Sequence, residues 1–186
     1  MITGAVLPVF NNPLKVAGEL GMLDAISNGR LEAGFARAFL PNEFETFGID
    51  IEESRDRYEE GVEQIRLLLE QENVSCEGKF HSFSNVTSLP RPTQQPRPPF
   101  WVAAMSTKAS FEFAGRNGHY IKGNPMGGGL MAELIGTYRE EWKSAGHPGD
   151  GKIMLSFSMC ADEDGEAARN AFRPPLNAYL ERLVDA

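Results

Sequence analysis

Short apolar runs alternate with longer amphipathic stripes along the whole chain. Residues 2–9, ITGAVLPV, carry no charge and read as a strand buried on both faces. Asn12-Pro13 follows, an N-cap residue before a proline at the first helical position. Val16, Leu20, Leu23 and Ser27 then share one helical face, and Gly29 marks the expected stop. Residues 31–36 form a second short run. Tyr58, Val62, Ile65 and Leu69 give the stripe of a helix over about 53–71, with glutamates in its first turns, as the helix dipole favours.

Residues 73–99 break the rhythm. Glu77-Gly78 separates the alternating runs Val74–Cys76 and Phe80–Phe83, which predicts a β-hairpin. Five of the twelve prolines fall between Pro90 and Pro99, so this stretch reads as an ordered strap rather than a helix. The alternation resumes with a strand at 100–104, a helix over about 109–117, a strand at 120–123 and the helical stripe Leu130, Leu134, Tyr138 and Trp142. A strand over 153–160 follows. Asp162 and Asp164 offer caps for a last helix, expected to be interrupted at Pro174-Pro175.

Five strand units, each followed by a helix, imply an α/β fold with parallel pairing and right-handed crossovers. An open doubly wound sheet and a closed (β/α)8 barrel both satisfy the pattern. No G-x-G-x-x-G follows a strand and no G-x-x-x-x-G-K occurs, so dinucleotide and P-loop versions lack support.

Composition narrows the function. With 41% hydrophobic and 24% charged residues, the 186-residue chain can bury a core. Its 26 Asp and Glu against 18 Lys and Arg, a net charge of −8, argue against a nucleic-acid partner. No apolar run approaches the roughly 18–20 residues that span a bilayer, and the first ten residues lack the basic end of a signal peptide. No membrane association is therefore expected. Cys76 and Cys160 fit neither a metal site nor a disulfide framework, which favours a reducing, cytoplasmic setting. There the sequons at Asn73 and Asn85 would stay inert.

In either parallel architecture, chemistry belongs at the C-terminal strand ends. Arg37 follows the second run, and its planar guanidinium suits a phosphate; the alternative is a surface pair with Glu43 or Glu45. Ser106, Thr107 and Ser110 stand between a strand and a helix, where hydroxyls and free N–H groups can hold an anion. Helix capping alone would explain one of them but not all three. Residues 124–129, NPMGGG, form another strand-to-helix loop, readable as close ligand approach or as plain flexibility. His81, His119 and His147 have no partners at metal or triad spacing, so no metal and no catalytic histidine are assigned.

Longer segments carry a resemblance. ITGAVLPVFNNPLKVAGELGMLDAISNGRLEAGFARAF, NEFETFGIDIEESRDRYEEG, VSCEGKFHSFSNVTSLPRPTQQPRPPFWVAA and SFEFAGRNG resemble, in order and spacing, the luciferase-like flavin-dependent monooxygenases. The resemblance implies a partial TIM (β/α)8 barrel, strands three to seven with an inserted β-hairpin. Residues 1–186 would then be one incomplete barrel domain, with 73–99 as the hairpin and Pro-rich strap. A typical barrel needs about 250 residues, so the length reads as a truncation.

The family binds reduced FMN or, in some branches, the deazaflavin F420. Arg37 matches its phosphate-binding arginine, Phe39 a position whose backbone approaches the phosphate, and Ser106 and Ser110 its phosphate-end hydroxyls. Met105 stands where the luciferases carry an acid, which implies fewer phosphate contacts, and no aromatic accompanies Asn124. Gly4-Ala5 matches a non-prolyl cis peptide beneath the flavin ring. The implied reaction uses reduced flavin and O2 on an aldehyde-like small organic substrate, with a flavin reductase as a partner. The F420 branch implies hydride transfer instead, and a non-catalytic flavin-binding barrel is the third reading. The family's assisting histidine or acid would precede the first unit read here, so no catalytic residue is assigned. Open sheet edges and family habit imply a homodimer or larger assembly.

Overall fold

The alternating runs and stripes become alternating strands and helices in the computed structural model, which describes residues 5–125 and 128–184. Its strands are β1 (Ala33–Phe35), β2 (Val74–Glu77), β3 (Ser82–Val86), β4 (Phe100–Ala104), β5 (Tyr120–Gly123) and β6 (Ile153–Leu155). Its helices are α1 (Pro13–Ile26), α2 (Pro41–Phe47), α3 (Ser54–Glu70), α4 (Lys108–Arg116), α5 (Gly128–Ser144) and α6 (Gly165–Val184).

Strand order decides between the two architectures left open by the pattern. β1, β4, β5 and β6 pair in parallel in that order, and Val6 bridges in parallel to Phe35 on the far side of β1. Each new unit is added beside the previous one and the order never reverses. That is the arc of a (β/α)8 barrel; a doubly wound sheet turns back at a switch point. One register row, Phe35–Val102–Ile121–Ile153, crosses the sheet.

The helices pack on the face that carries Phe35, Phe100, Val102 and Ile121, and this layer forms the core with Leu20, Ile65, Leu69, Phe111 and Tyr138. In α1, Asn12 Oδ1 accepts from the Leu14 N–H at 2.9 Å with Pro13 at the first position, as the sequence predicts. The buried side of α1 is Val16, Ala17, Leu20, Gly21 and Asp24, while Leu23 turns toward solvent. In α3 the predicted stripe of Tyr58, Val62, Ile65 and Leu69 is buried. Gly115 of α4 lies against the α5 backbone; a Cβ there would sit 2.5 Å from the Tyr138 carbonyl oxygen, so these helices meet too closely for any larger residue.

Residues 73–99 form the antiparallel hairpin β2–β3 and the strap, both fastened to α3 and α1. Glu60 of α3 accepts hydrogen bonds from the backbone N–H groups of Lys79 (2.7 Å), Phe80 (3.1 Å) and His81 (2.9 Å), capping the hairpin tip. Arg91 donates to the last α3 carbonyls, at Leu68 and Leu69. Arg97 pairs with Glu70 at 2.9 Å.

Several expectations differ from the structure, among them the second hairpin strand, which is Ser82–Val86 and not Phe80–Phe83. Val6 makes a single bridge and Pro8–Phe10 turn as 3-10 helix, so the described part of the first run, from residue 5, is not a full strand. Pairing of β6 stops at Leu155, level with the last β5 residue, and Phe157 and Met159 beyond it are exposed. Helix α6 runs through Pro174 and Pro175; it is largely exposed, so water can reach the carbonyls whose donors the prolines remove. Helix α2 was not evident in the pattern. Phe44 packs on Phe10 at 5.0 Å and Phe47 stacks on Phe10 at 4.6 Å, contacts that local periodicity does not encode. Among the described residues, no helix is long and apolar enough to cross a membrane.

His119 sits fully in this core between the rings of Phe100 and Phe113. Burial, reinforced by the charges of Arg97 and Arg66, pushes its pKa down to about 3. The folded value lies below the unfolded one, so His119 adds no pH dependence to stability above about pH 6.5. Below it the unfolded chain takes up a proton that the folded chain refuses, and stability falls by about 1.4 kcal/mol per pH unit. Urea unfolding of the parent and of His119→Phe at pH 7 and pH 5 checks this: the parent should lose more stability across that interval than the variant.

Candidate functional site

The C-terminal ends of β1, β4, β5 and β6 open into one cleft of about 340 Å3. Position follows from the parallel sheet: every strand directs its following loop to the same end, and that end is where barrel proteins place their chemistry. Arg37, Phe39, Ser106, Thr107, Ser110 and Asn124, all singled out by the sequence, line it together.

Arg37 is placed from three sides. It lies two residues beyond β1; α2 is held next to it by the Phe10 stack; and its Nη1 donates to the buried Ser54 hydroxyl at the start of α3, at 3.0 Å. Among the described residues it pairs with no carboxylate, so the alternative partners Glu43 and Glu45 are not used. Burial, and then the neighbouring Arg55 charge, lowers its pKa from the ordinary arginine value. A cation under that double strain is stabilised by any anion entering the cleft. Ala38, the next residue, has φ +68°, a left-handed conformation uncommon outside glycine, and it turns the chain between Arg37 and Phe39. Phe39 is half exposed beside it.

Opposite stands the start of α4. Thr107 takes the N-cap position with extended backbone, yet its side chain makes no capping hydrogen bond. The Ser110 N–H is used by the Thr107 carbonyl at 3.0 Å. Ser106 and Thr107 are exposed and Ser110 partly so. The hydroxyls are thus not consumed as caps, and the first turn of α4 keeps N–H groups free to meet an anion. Ala36, Ala103 and Ala104 give the cleft an apolar floor.

Of the predicted Gly4-Ala5 pair, only Ala5 is among the described residues. Ala5 is exposed and is not among the residues lining the cleft, and Gly4, with the Gly4-Ala5 bond, lies outside the described residues. The glycine loop is described at Asn124 and Pro125 and again from Gly128. Sequence reasoning missed Lys122 and Ser156, which also line the cleft. A charge inside the otherwise apolar run at 120–123 was the available signal for Lys122. No cluster of metal-ligating side chains occurs among the described residues.

A parallel β/α arc with a cleft at its C-terminal face, lined from successive strand ends, defines a barrel-type scaffold. The chain belongs to the luciferase-like monooxygenase family, whose profile matches residues 1–184. It is 34% identical over 187 residues to the oxygenase component of the flavin-dependent trigonelline monooxygenase of Acinetobacter baylyi, covering 95% of this chain and 51% of that protein. It is 29% identical over 173 residues to the FMNH(2)-dependent dimethylsulfone monooxygenase of Pseudomonas putida, covering 90% of this chain and 46% of that protein. The crystal structure of the monooxygenase RslO1 from Streptomyces bottropensis superposes with a TM-score of 0.90 at 44% identity, over 100% of this chain and 57% of that one. The chain spans about half the length of the curated relatives it matches.

Proposed function

We propose that the cleft holds the phosphate of reduced FMN and that the protein serves as a flavin-dependent monooxygenase acting with O2 on a small organic substrate. The carrying observation is the guanidinium of Arg37, unpaired with any described carboxylate, facing the same cleft as the uncapped first turn of α4. The flavin- and FMNH(2)-dependent activities named for two relatives support the same reading.

The residues present suit a phosphomonoester. Arg37 would meet two oxygens with its planar fork, and the Ser106 and Ser110 hydroxyls with the α4 N–H groups would meet the others. Bound flavin would supply the electrons for oxygen chemistry; the protein's part is binding, orientation and control of water. Phe39 would cover the phosphate end, and the alanine floor would keep water from the ligand's apolar portion. Supply of reduced flavin by a separate reductase, assembly as a homodimer, and treatment of 1–186 as one incomplete barrel domain belong to the same proposal.

Titrating the purified chain with FMN and with F420 tests it. Saturable quenching of FMN fluorescence, with a rise in Tm, is the expected result. Tighter binding of F420 would move the assignment to hydride transfer. Failure of both cofactors to bind would overturn the reading. Stopped-flow mixing of the reduced complex with O2 then separates an oxygenase from a chain that only holds flavin, because only the former forms product in step with flavin oxidation.

A further inference from the structure

Lys122 of β5 lines this cleft as a cation that the phosphate site does not use. We propose that it forms the centre of a second anion subsite, on the β5–β6 side of the cleft, which recognises a carboxylate on the organic substrate.

The charge pattern is the first support. The chain carries 26 Asp and Glu, yet the described residues lining the cleft include Arg37 and Lys122 and no acid. In so acidic a protein a carboxylate-free cleft with two cations is selective for anions. Lys122 is half-buried and pairs with no described carboxylate. An ammonium with no described counter-ion is available to an anion that enters the cleft.

Geometry separates this cation from the phosphate site. The register row pairs Phe35 with Val102 and Ile121; Lys122 lies inside β5, one residue past that row, whereas Arg37 lies two residues beyond the end of β1. β1 and β5 are separated by β4, two strand spacings or about 10 Å. The two cations therefore start from different strands, with β4 between them. Alternation along β5 buries Ile121 against the helices and leaves Lys122 on the opposite, barrel-facing side.

The neighbours also suit a carboxylate. Asn124 and Ser156 line the same side of the cleft. Their backbones are fixed by the Asn124 N–H to the Ala104 carbonyl at 3.3 Å and the Ser156 N–H to the Gly123 carbonyl at 3.0 Å. An ammonium, a carboxamide and a hydroxyl offer donors to two carboxylate oxygens. The division of labour is then clear: Arg37 and the α4 turn take the cofactor's phosphate, and Lys122 with Asn124 and Ser156 orients the substrate's anionic end. The proposal rests on the flavin reading only for the role given to Arg37.

Ligand-observed NMR with benzoate and its neutral counterpart benzamide tests it, on the parent chain and on Lys122→Met, each with and without FMN. The parent is expected to prefer benzoate. Lys122→Met should weaken benzoate about tenfold, leave benzamide unchanged, and alter FMN affinity by less than about fivefold. A parent without preference for benzoate, or a variant that keeps it, would overturn the proposal. So would a variant that loses FMN as severely as benzoate, because the lysine would then belong to the cofactor site. The titration without FMN keeps the two readings apart: if FMN fails to bind the parent but the lysine-dependent benzoate preference stands, the flavin reading alone is lost.

Discussion

Replacing Arg37 with alanine is expected to weaken FMN binding about 30- to 150-fold while leaving the fold intact. The magnitude follows from a charge-assisted contact to phosphate, worth roughly 2–3 kcal/mol net, at tenfold per 1.4 kcal/mol. Stability should change little or rise slightly, because the guanidinium donates to Ser54 but is strained by burial and by Arg55. Arg37→Lys keeps the charge and loses the fork, so it should restore only part of the affinity. Fluorescence titration of FMN against the parent and both variants, with urea unfolding of each, makes the comparison. Unchanged FMN affinity in Arg37→Ala would remove the phosphate site. A large fall in stability without ligand would show that Arg37 serves the fold instead.

The second large effect is structural and lies away from the cleft. Asp24 of α1 is completely buried, and its carboxylate accepts from the Gln94 backbone N–H at 2.8 Å and from Gln94 Nε2 at 2.7 Å. Gln94 Nε2 also donates to the Leu31 carbonyl at 2.7 Å, so one residue of the strap ties α1 to the entry of β1. Asp24→Ala removes the acceptor and leaves two donors facing a cavity, at roughly 1–3 kcal/mol for each buried group left unsatisfied. A loss of about 2–4 kcal/mol is expected, or about 5–15 °C in Tm for a domain of this size. Asp24→Asn keeps one oxygen but turns an amide donor toward one Gln94 donor, so it should recover only part of the loss. Thermal unfolding by circular dichroism measures all three; an Asp24→Ala variant as stable as the parent would show that the strap is held mainly by Arg91 and Arg97.

How much of this was legible in the sequence depends on how local each determinant is. The Asn12-Pro13 cap, the α3 stripe and the hairpin near Gly78 depend on neighbours a few residues away; the first two lie where the pattern placed them, and the hairpin forms there with its second strand at Ser82–Val86 instead of Phe80–Phe83. Helix α2 depends on Phe10, more than thirty positions before Phe44, and it was missed. The strand at 153–160 was overextended because its apolar pattern continues past Leu155, whereas its pairing ends level with Gly123 of β5. The candidate site divides in the same way. Arg37, Ser106 and Ser110 were found because strand-to-helix boundaries are visible in the pattern. Lys122 was passed over because a charge inside a strand shows its importance only when the neighbouring strands and their lack of acids are known.

The amino-acid order by itself determined the alternation of strands and helices, the parallel α/β class and the family, and it marked the residues at strand ends, because periodicity and capping act within a few residues. Tertiary structure decided that the strands add in one direction as a barrel arc, that Arg37 meets Ser54 and no described acid, and that Lys122 shares its cleft. Those outcomes depend on register and packing between segments distant in the chain, and no local pattern carries that information.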